Sequence, residues 1–303
     1  MKKLLYYLIL SFWYLLSLLP FKVLYWFSDC LYFLIYYCVG YRKKLVRKNL
    51  TESFPDKTTG EIVEIEKNFY AFFCDYIVET IKLLTISKKN MQNRMRFEGM
   101  DELNAYLAEG KSCCLYLGHY CNWEWISSIP MYLPEGVIGG QIYHVLENEV
   151  FDRLFLRVRS RFEAVNIPME KTLRKIATYR KEGKSMVIGF ISDQVPIWNS
   201  IHHWLEFLHH DTPVLTGAER IARQADFVAF YCSITRSGRG YYVCRFKKLT
   251  DCPRELPEFG LTELYFRELE KDIVRVPQYW LWTHNRWKRT REEFIRIFGE
   301  GRL

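Results

Sequence analysis

The seven residues Gly118-His119-Tyr120-Cys121-Asn122-Trp123-Glu124 hold the sharpest chemical signal in the chain. An imidazole is the side chain best suited to move a proton near neutral pH. A carboxylate on one of its ring nitrogens fixes the tautomer and raises the basicity of the other. His119 and Glu124 are five positions apart. On one continuous helix they point in different directions. With His119 in a turn and Glu124 in the first turn of a following helix, the two meet. The pair is then a general base fit to activate a hydroxyl nucleophile. The spacing alone also suits a lone histidine followed by a glutamate that stabilises a helix N-terminus.

The surrounding pattern decides what must hold these residues. Short apolar runs at 112–117, 137–143, 185–191, 227–235 and 241–246 read as strands. Amphipathic stretches at 147–162, 171–181 and 213–224 read as helices between them, and 61–84 as an earlier helix. This alternation predicts an α/β fold, a mixed sheet flanked by helices. His119 follows the first of these strands directly. Ligands in such folds bind beyond the carboxyl ends of strands.

The N-terminal forty residues differ. Residues 4–19 are apolar apart from Ser11 and Ser17, and 23–40 are apolar apart from Ser28 and Asp29. Pro20 and Lys22 separate them, so neither is a clean span of about 20 residues. Lys2 and Lys3 precede the segment, and Arg42, Lys43, Lys44, Arg47 and Lys48 follow it. Basic flanks on both sides suit a helical segment that enters a bilayer and returns, or lies in its interface. The expected division is an anchor over 1–40 and one catalytic domain over 41–303.

Composition narrows the classes. Of 303 residues, 26% are charged, too many for a polytopic membrane protein. The net charge of +8 favours anionic partners, but no nucleic-acid recognition motif accompanies it. The nine cysteines are scattered, odd in number and without a C-x-x-C pair. They read as free thiols in a reducing compartment, with the domain facing the cytoplasm. The histidine-rich run from His202 to Asp211 lacks the H-x3-H or H-E-x-x-H spacing of a helical zinc site, so no metal is expected.

Five stretches, in order, resemble the late lipid A acyltransferases, the lauroyl/myristoyl transferases of Gram-negative envelope synthesis. Arg47-Lys48-Asn49-Leu50 with Phe54-Pro55 is similar to that family's R-x-N-L…F-P stretch. GHYCNWE resembles its G-H-x-x-N-W-E block with the H-x4-D/E dyad. Residues 143–148, then Arg153, Arg159 and Arg161, resemble a Y-R-P-x-x-N stretch and its arginines. Asp193-Gln194, with Phe207 and Thr216-Gly217 beyond, form a fourth, and Trp282 through Lys288 resemble W-x-H-R-R-[WF]-K. Three positions depart: His144 replaces the usual Arg, Phe207-Leu208-His209 replaces F-F-G, and Asn285 replaces the first Arg of the final pair.

The resemblance implies transfer of an acyl chain from an acyl carrier protein thioester to a hydroxyl of a lipid A precursor or related glycolipid. It implies an inner-membrane enzyme with its catalytic domain on the cytoplasmic face, and no cofactor. His119 is then the base and Glu124 its orienting partner. Asn122, Tyr143, His144, Asn148, Arg159, Arg161, Asp193, Gln194, His284 and Arg286 become substrate-binding or oxyanion candidates.

Overall fold

The computed structural model describes residues 2–302; Met1 and Leu303, the outer limits of the expected segments, lie outside them. The helices are α1 (Lys2–Leu18), α2 (Phe21–Phe33), α3 (Lys43–Ser53), α4 (Thr59–Lys82), α5 (Lys88–Arg94), α6 (Met100–Ala108), α7 (Glu149–Arg159), α8 (Thr172–Lys181), α9 (Gly217–Ala225), α10 (Gly260–Arg275) and α11 (Arg291–Phe298). The strands are β1 (Met95–Glu98), β2 (Cys113–Leu117), β3 (Ile138–Tyr143), β4 (Val165–Pro168), β5 (Met186–Ile191), β6 (Trp204–Phe207), β7 (His210–Pro213), β8 (Val228–Gly238) and β9 (Tyr241–Thr250).

Seven strands form one mixed sheet in the order β1-β9-β8-β2-β5-β3-β4. Only β8 and β9 pair antiparallel, through a tight hairpin over Arg239 and Gly240. The parallel centre explains the sequence of β2. A strand covered on both faces reads as an unbroken apolar run, and all five residues of β2 are buried. The expected strands and helices are all present, within a few residues. The short edge strands β1 and β4, the separate β6–β7 hairpin and α10 carry no signal that the sequence reading caught.

α4 is the spine of the helical layer. Its start is fixed by a capping box in which Thr58 and Glu61 satisfy each other's backbone N–H groups. Three acidic residues on α4 are buried, and each is engaged. Glu66 accepts from Arg47 and from the Tyr36 hydroxyl. Asp75 accepts from Ser28, Arg236 and Arg239. Glu79 accepts from Tyr25, Asn122 and Tyr242. The polar stripe therefore ties the N-terminal segment to the sheet.

α1 and the α2-led helix, which continues as a π-helical turn to Val39, are bent by 115° at the break around Pro20. Neither is long and apolar enough to cross a membrane alone. Their outward faces are apolar: Leu4, Leu8, Phe12, Leu15, Trp26, Phe33 and Val39 are each at least 60% exposed.

Candidate active site

Three adjacent parallel strands, β2, β5 and β3, end side by side. The segments leaving their carboxyl ends carry His119, Asp193-Gln194 and Tyr143-His144 respectively. The turn after β2 is closely packed. A Cβ at Gly118 would lie 2.5 Å from a terminal methyl of Leu269 on α10, so glycine leaves room for that side chain against the strand end. The next residues lace onto a distant segment: Leu281 N–H donates to the His119 carbonyl at 3.1 Å, and Cys121 N–H to the Tyr279 carbonyl at 2.9 Å. Cys121 holds φ of 52°, a conformation that a non-glycine residue keeps only where its surroundings over-determine it.

The carboxylate on the imidazole is Asp193. Its Oδ1 lies 2.6 Å from His119 Nδ1, and its Oδ2 accepts from His119 N–H and from Trp280 Nε1, each at 2.8 Å. Burial alone pushes the Asp193 carboxyl up. The neighbouring His119 and these hydrogen bonds outweigh that and hold it down at about 2. An ionised Asp193 requires the proton on Nδ1, which leaves the Nε2 lone pair facing out. Gln194 Nε2 stands 3.2 Å from it.

Glu124 is placed differently from expectation. Both its oxygens are taken by Arg159, at 2.8 and 2.6 Å, in a bidentate pair. Its side chain is almost fully buried, and burial alone would pull the Arg159 guanidinium down; Glu124 outweighs this and keeps it charged. The carboxylate at His119 Nδ1 is Asp193, and both Glu124 oxygens are held by Arg159. The element following Asn122 also departs from an α-helix. It is a 3₁₀ stretch, Trp123–Tyr132. Ser127 and Ser128 bond the carbonyls three residues back, and Pro130 lacks an N–H, so the wider helical ladder does not form.

His119, Glu124, Arg159, Gln194, Tyr143 and His144 border one cavity of about 280 Å³. Its floor is apolar: Leu115 and Leu117 from β2, Gly189 and Ile191 from β5, with Ile126, Ile129 and Ile142 around them. Gly189 pairs across to Leu115 at the centre of that floor. The arrangement joins an imidazole and other polar groups to a hydrocarbon lining in one cavity.

The remaining candidates have other work. Asn122 is fully buried, caps the 3₁₀ stretch and donates to Glu79 at 2.7 Å. Asn148 caps α7. Arg161 reaches the Ile86 carbonyl and is not part of the cavity. His284 accepts from Val195 N–H at 3.2 Å; burial pulls its pKa to about 4, so it is a neutral acceptor that pins the Asp193–Gln194 segment. Arg286 is fully buried behind the site and donates to the Pro213 carbonyl. Cys121, two residues after His119, is buried with its thiol against the Ile234 carbonyl, and burial raises that thiol well above the usual range. Among the described residues no group of three or more histidines, cysteines or acids is placed to hold a metal.

Sequence reasoning missed Trp280 and the Asp193–His119 contact. Their partners lie 74 and 87 positions away, and no local spacing encodes them. It also missed why the first and last motifs accompany each other. Asn49 donates to the carbonyls of Trp282 and His284, and Arg42 to that of Thr283. The two motifs form one scaffold behind the 279–281 segment that positions His119.

Residues 1–289 match the family model described as "Bacterial lipid A biosynthesis acyltransferase". No curated protein matches the chain.

Proposed function

Because the chain belongs to the bacterial lipid A biosynthesis acyltransferase family, we propose that it moves a fatty acyl group from an acyl carrier protein thioester to a hydroxyl of a lipid A precursor. The observation that carries this reading is the His119 imidazole, backed by Asp193, at the mouth of an apolar cavity. The cavity suits the donor's hydrocarbon chain. Each buried methylene contributes about 0.8 kcal/mol, so an aliphatic floor favours a long acyl group over a polar one.

His119 Nε2 takes the proton of the acceptor hydroxyl as the oxygen attacks the thioester carbonyl. Asp193 keeps the imidazole oriented and stabilises the imidazolium. The tetrahedral intermediate collapses with loss of the thiolate, which receives the proton from His119. Arg159 and Gln194 both border the cavity and are donors placed to meet the oxyanion. Glu124 acts through Arg159: it aims the guanidinium and neutralises its charge before the oxyanion forms. Gln194 leaves Nε2 when the acceptor hydroxyl arrives. The chemistry as written needs no metal or nucleotide.

The reading includes membrane attachment, which the apolar outward face of α1 and α2 supports. Burying a Leu, Phe or Trp side chain is worth roughly 1.5–3 kcal/mol. Six such residues, with Val39, are at least 60% exposed on one segment, which favours a bilayer interface as their environment. Free thiols and basic flanks suit the cytoplasmic face of the inner membrane.

The test is transfer by the detergent-solubilised protein, read by product mass. Acyl carrier protein thioesters are offered with a lipid A precursor, and in parallel with other glycolipids and aminolipids. One added acyl mass on the lipid A precursor is expected. Transfer only to another lipid would keep the chemistry and replace the acceptor. No transfer to any hydroxyl lipid would sink the proposal.

A further inference from the structure

A second cavity of about 280 Å³ lies outside the catalytic one, walled by α1, α4 and α7. Its lining is Ile9, Phe12, Trp13 and Leu16 from α1, Tyr76, Ile77, Thr80 and Ile81 from α4, and Phe155 from α7. Thr80 spends its hydroxyl on the Tyr76 carbonyl, and Trp13 its indole N–H on the Ile81 carbonyl. What faces the groove is carbon. A cavity of about 150 Å³ lined this way already accepts benzene. Nothing in this groove would orient a polar ligand.

Two features say what fills it. The first is where it opens. Phe12, on its rim, is 64% exposed and stands in the same apolar face as Leu8 and Leu15. A hydrocarbon chain sliding from a bilayer into the groove along that face never crosses water. The second is what lies behind it. The Tyr76 ring stacks on Trp123 at 4.2 Å, and Trp123 packs edge-on to His119 at 5.1 Å. Phe155 sits under the Arg159 guanidinium at 5.2 Å, and Arg159 holds Glu124. The groove and the catalytic cavity are therefore separated by a wall two side chains deep, Tyr76 and Phe155 on the groove side against Trp123 and Arg159 on the cavity side.

We propose that this groove seats one hydrocarbon chain of the acceptor lipid, while the His119 cavity takes the acyl chain of the donor. This rests on the acyl-transfer reading above. Two separate apolar sites on either side of the Tyr76–Trp123 layer give the two substrates independent anchors. The acceptor hydroxyl then reaches His119 with its lipid still partly in hydrocarbon. Chain length on the acceptor becomes a binding term distinct from chain length on the donor.

Ile77→Trp fills the groove without touching the catalytic cavity, and Ile81→Trp is the second variant should the first fail to fold. Wild type and variant are assayed against acceptors whose acyl chain differs by two methylenes. In wild type the shorter acceptor should show a KM higher on the order of tenfold. In the folded variant that dependence should flatten, with kcat at saturating short-chain acceptor within about twofold of wild type. An unchanged dependence overturns the proposal. A lipid A precursor with a diazirine in that chain provides a readout independent of turnover. Labelling of Phe12, Leu16 or Ile81 supports the groove. Labelling confined to Leu115 and Ile129, or a groove covered by a second copy of the chain in sedimentation, overturns it. Absence of transfer in wild type would defeat the function reading, and the labelling would still decide the groove.

Discussion

The Asp193–His119 contact divides the two carboxylates near the imidazole into separate tasks. Asp193 sets the tautomer, and Glu124 sets Arg159. Asp193→Asn keeps the shape but can stabilise the wrong tautomer, and the analogous change in a serine protease triad costs about 10⁴ in kcat. A loss on the order of 10³–10⁴ in acyl transfer, with the fold retained by circular dichroism, is expected. A loss under tenfold would remove Asp193 from the mechanism. A second residue-scale outcome concerns Glu79, which is buried and pushed up by burial to about 7 despite its hydroxyl and amide donors. Its folded pKa lies above the unfolded value near 4.3. Its favourable contribution is thus full below about pH 4 and is lost as pH rises to about 7. The span corresponds to about 3 kcal/mol. Denaturant titrations at pH 5 and 8 should show stability falling over that interval, and Glu79→Gln should flatten the fall.

The elements put three strand ends in a row, and two glycines, Gly140 of β3 and Gly189 of β5, line the cavity between them. Gly189 lies between Leu115 and Gln141 in the sheet register, and an added Cβ would meet Leu117 at an ordinary 3.4 Å. Gly189→Val is therefore accommodated by the strand, while its methyl groups enter the cavity. Competition between donors of different length should shift toward shorter chains; an unchanged product profile would place the chain elsewhere. The long apolar runs of β2, β5 and β8 made this layer legible in the sequence, because central parallel strands leave no room for polar residues. The four-residue strands β1 and β4 and the β6–β7 hairpin are too short for periodicity to separate from loop. The 3₁₀ form of Trp123–Tyr132 was hidden for a different reason: it depends on Ser127, Ser128 and Pro130 acting together on one backbone.

For the molecule as a whole, the family motifs are parts of one scaffold read in sequence order. Asn49 and Arg42 meet the Trp282–His284 backbone across more than 230 residues, and Trp280 next to it reaches Asp193. Spacing along the chain shows that such motifs accompany each other; it does not show that they touch. His119 was legible because its turn follows a strand directly. Its carboxylate was not, since Glu124 is near in sequence and Asp193 is near in space. The apolar outer face of α1 and α2 also acts at this scale. Replacing Leu8 and Leu15 with Glu should release the protein from anionic vesicles in flotation while leaving the α4 contacts intact. Retained flotation would locate the membrane contact on another face.

The most direct measurement is the rate of acyl transfer to the lipid A precursor by wild type and His119→Ala at matched folded concentration. Removal of a general base should lower the rate by about 10² to 10⁴, with donor binding unchanged. A His119→Ala protein that transfers at the wild-type rate would contradict the account, since no other group in the cavity has a lone pair held in place by a buried carboxylate.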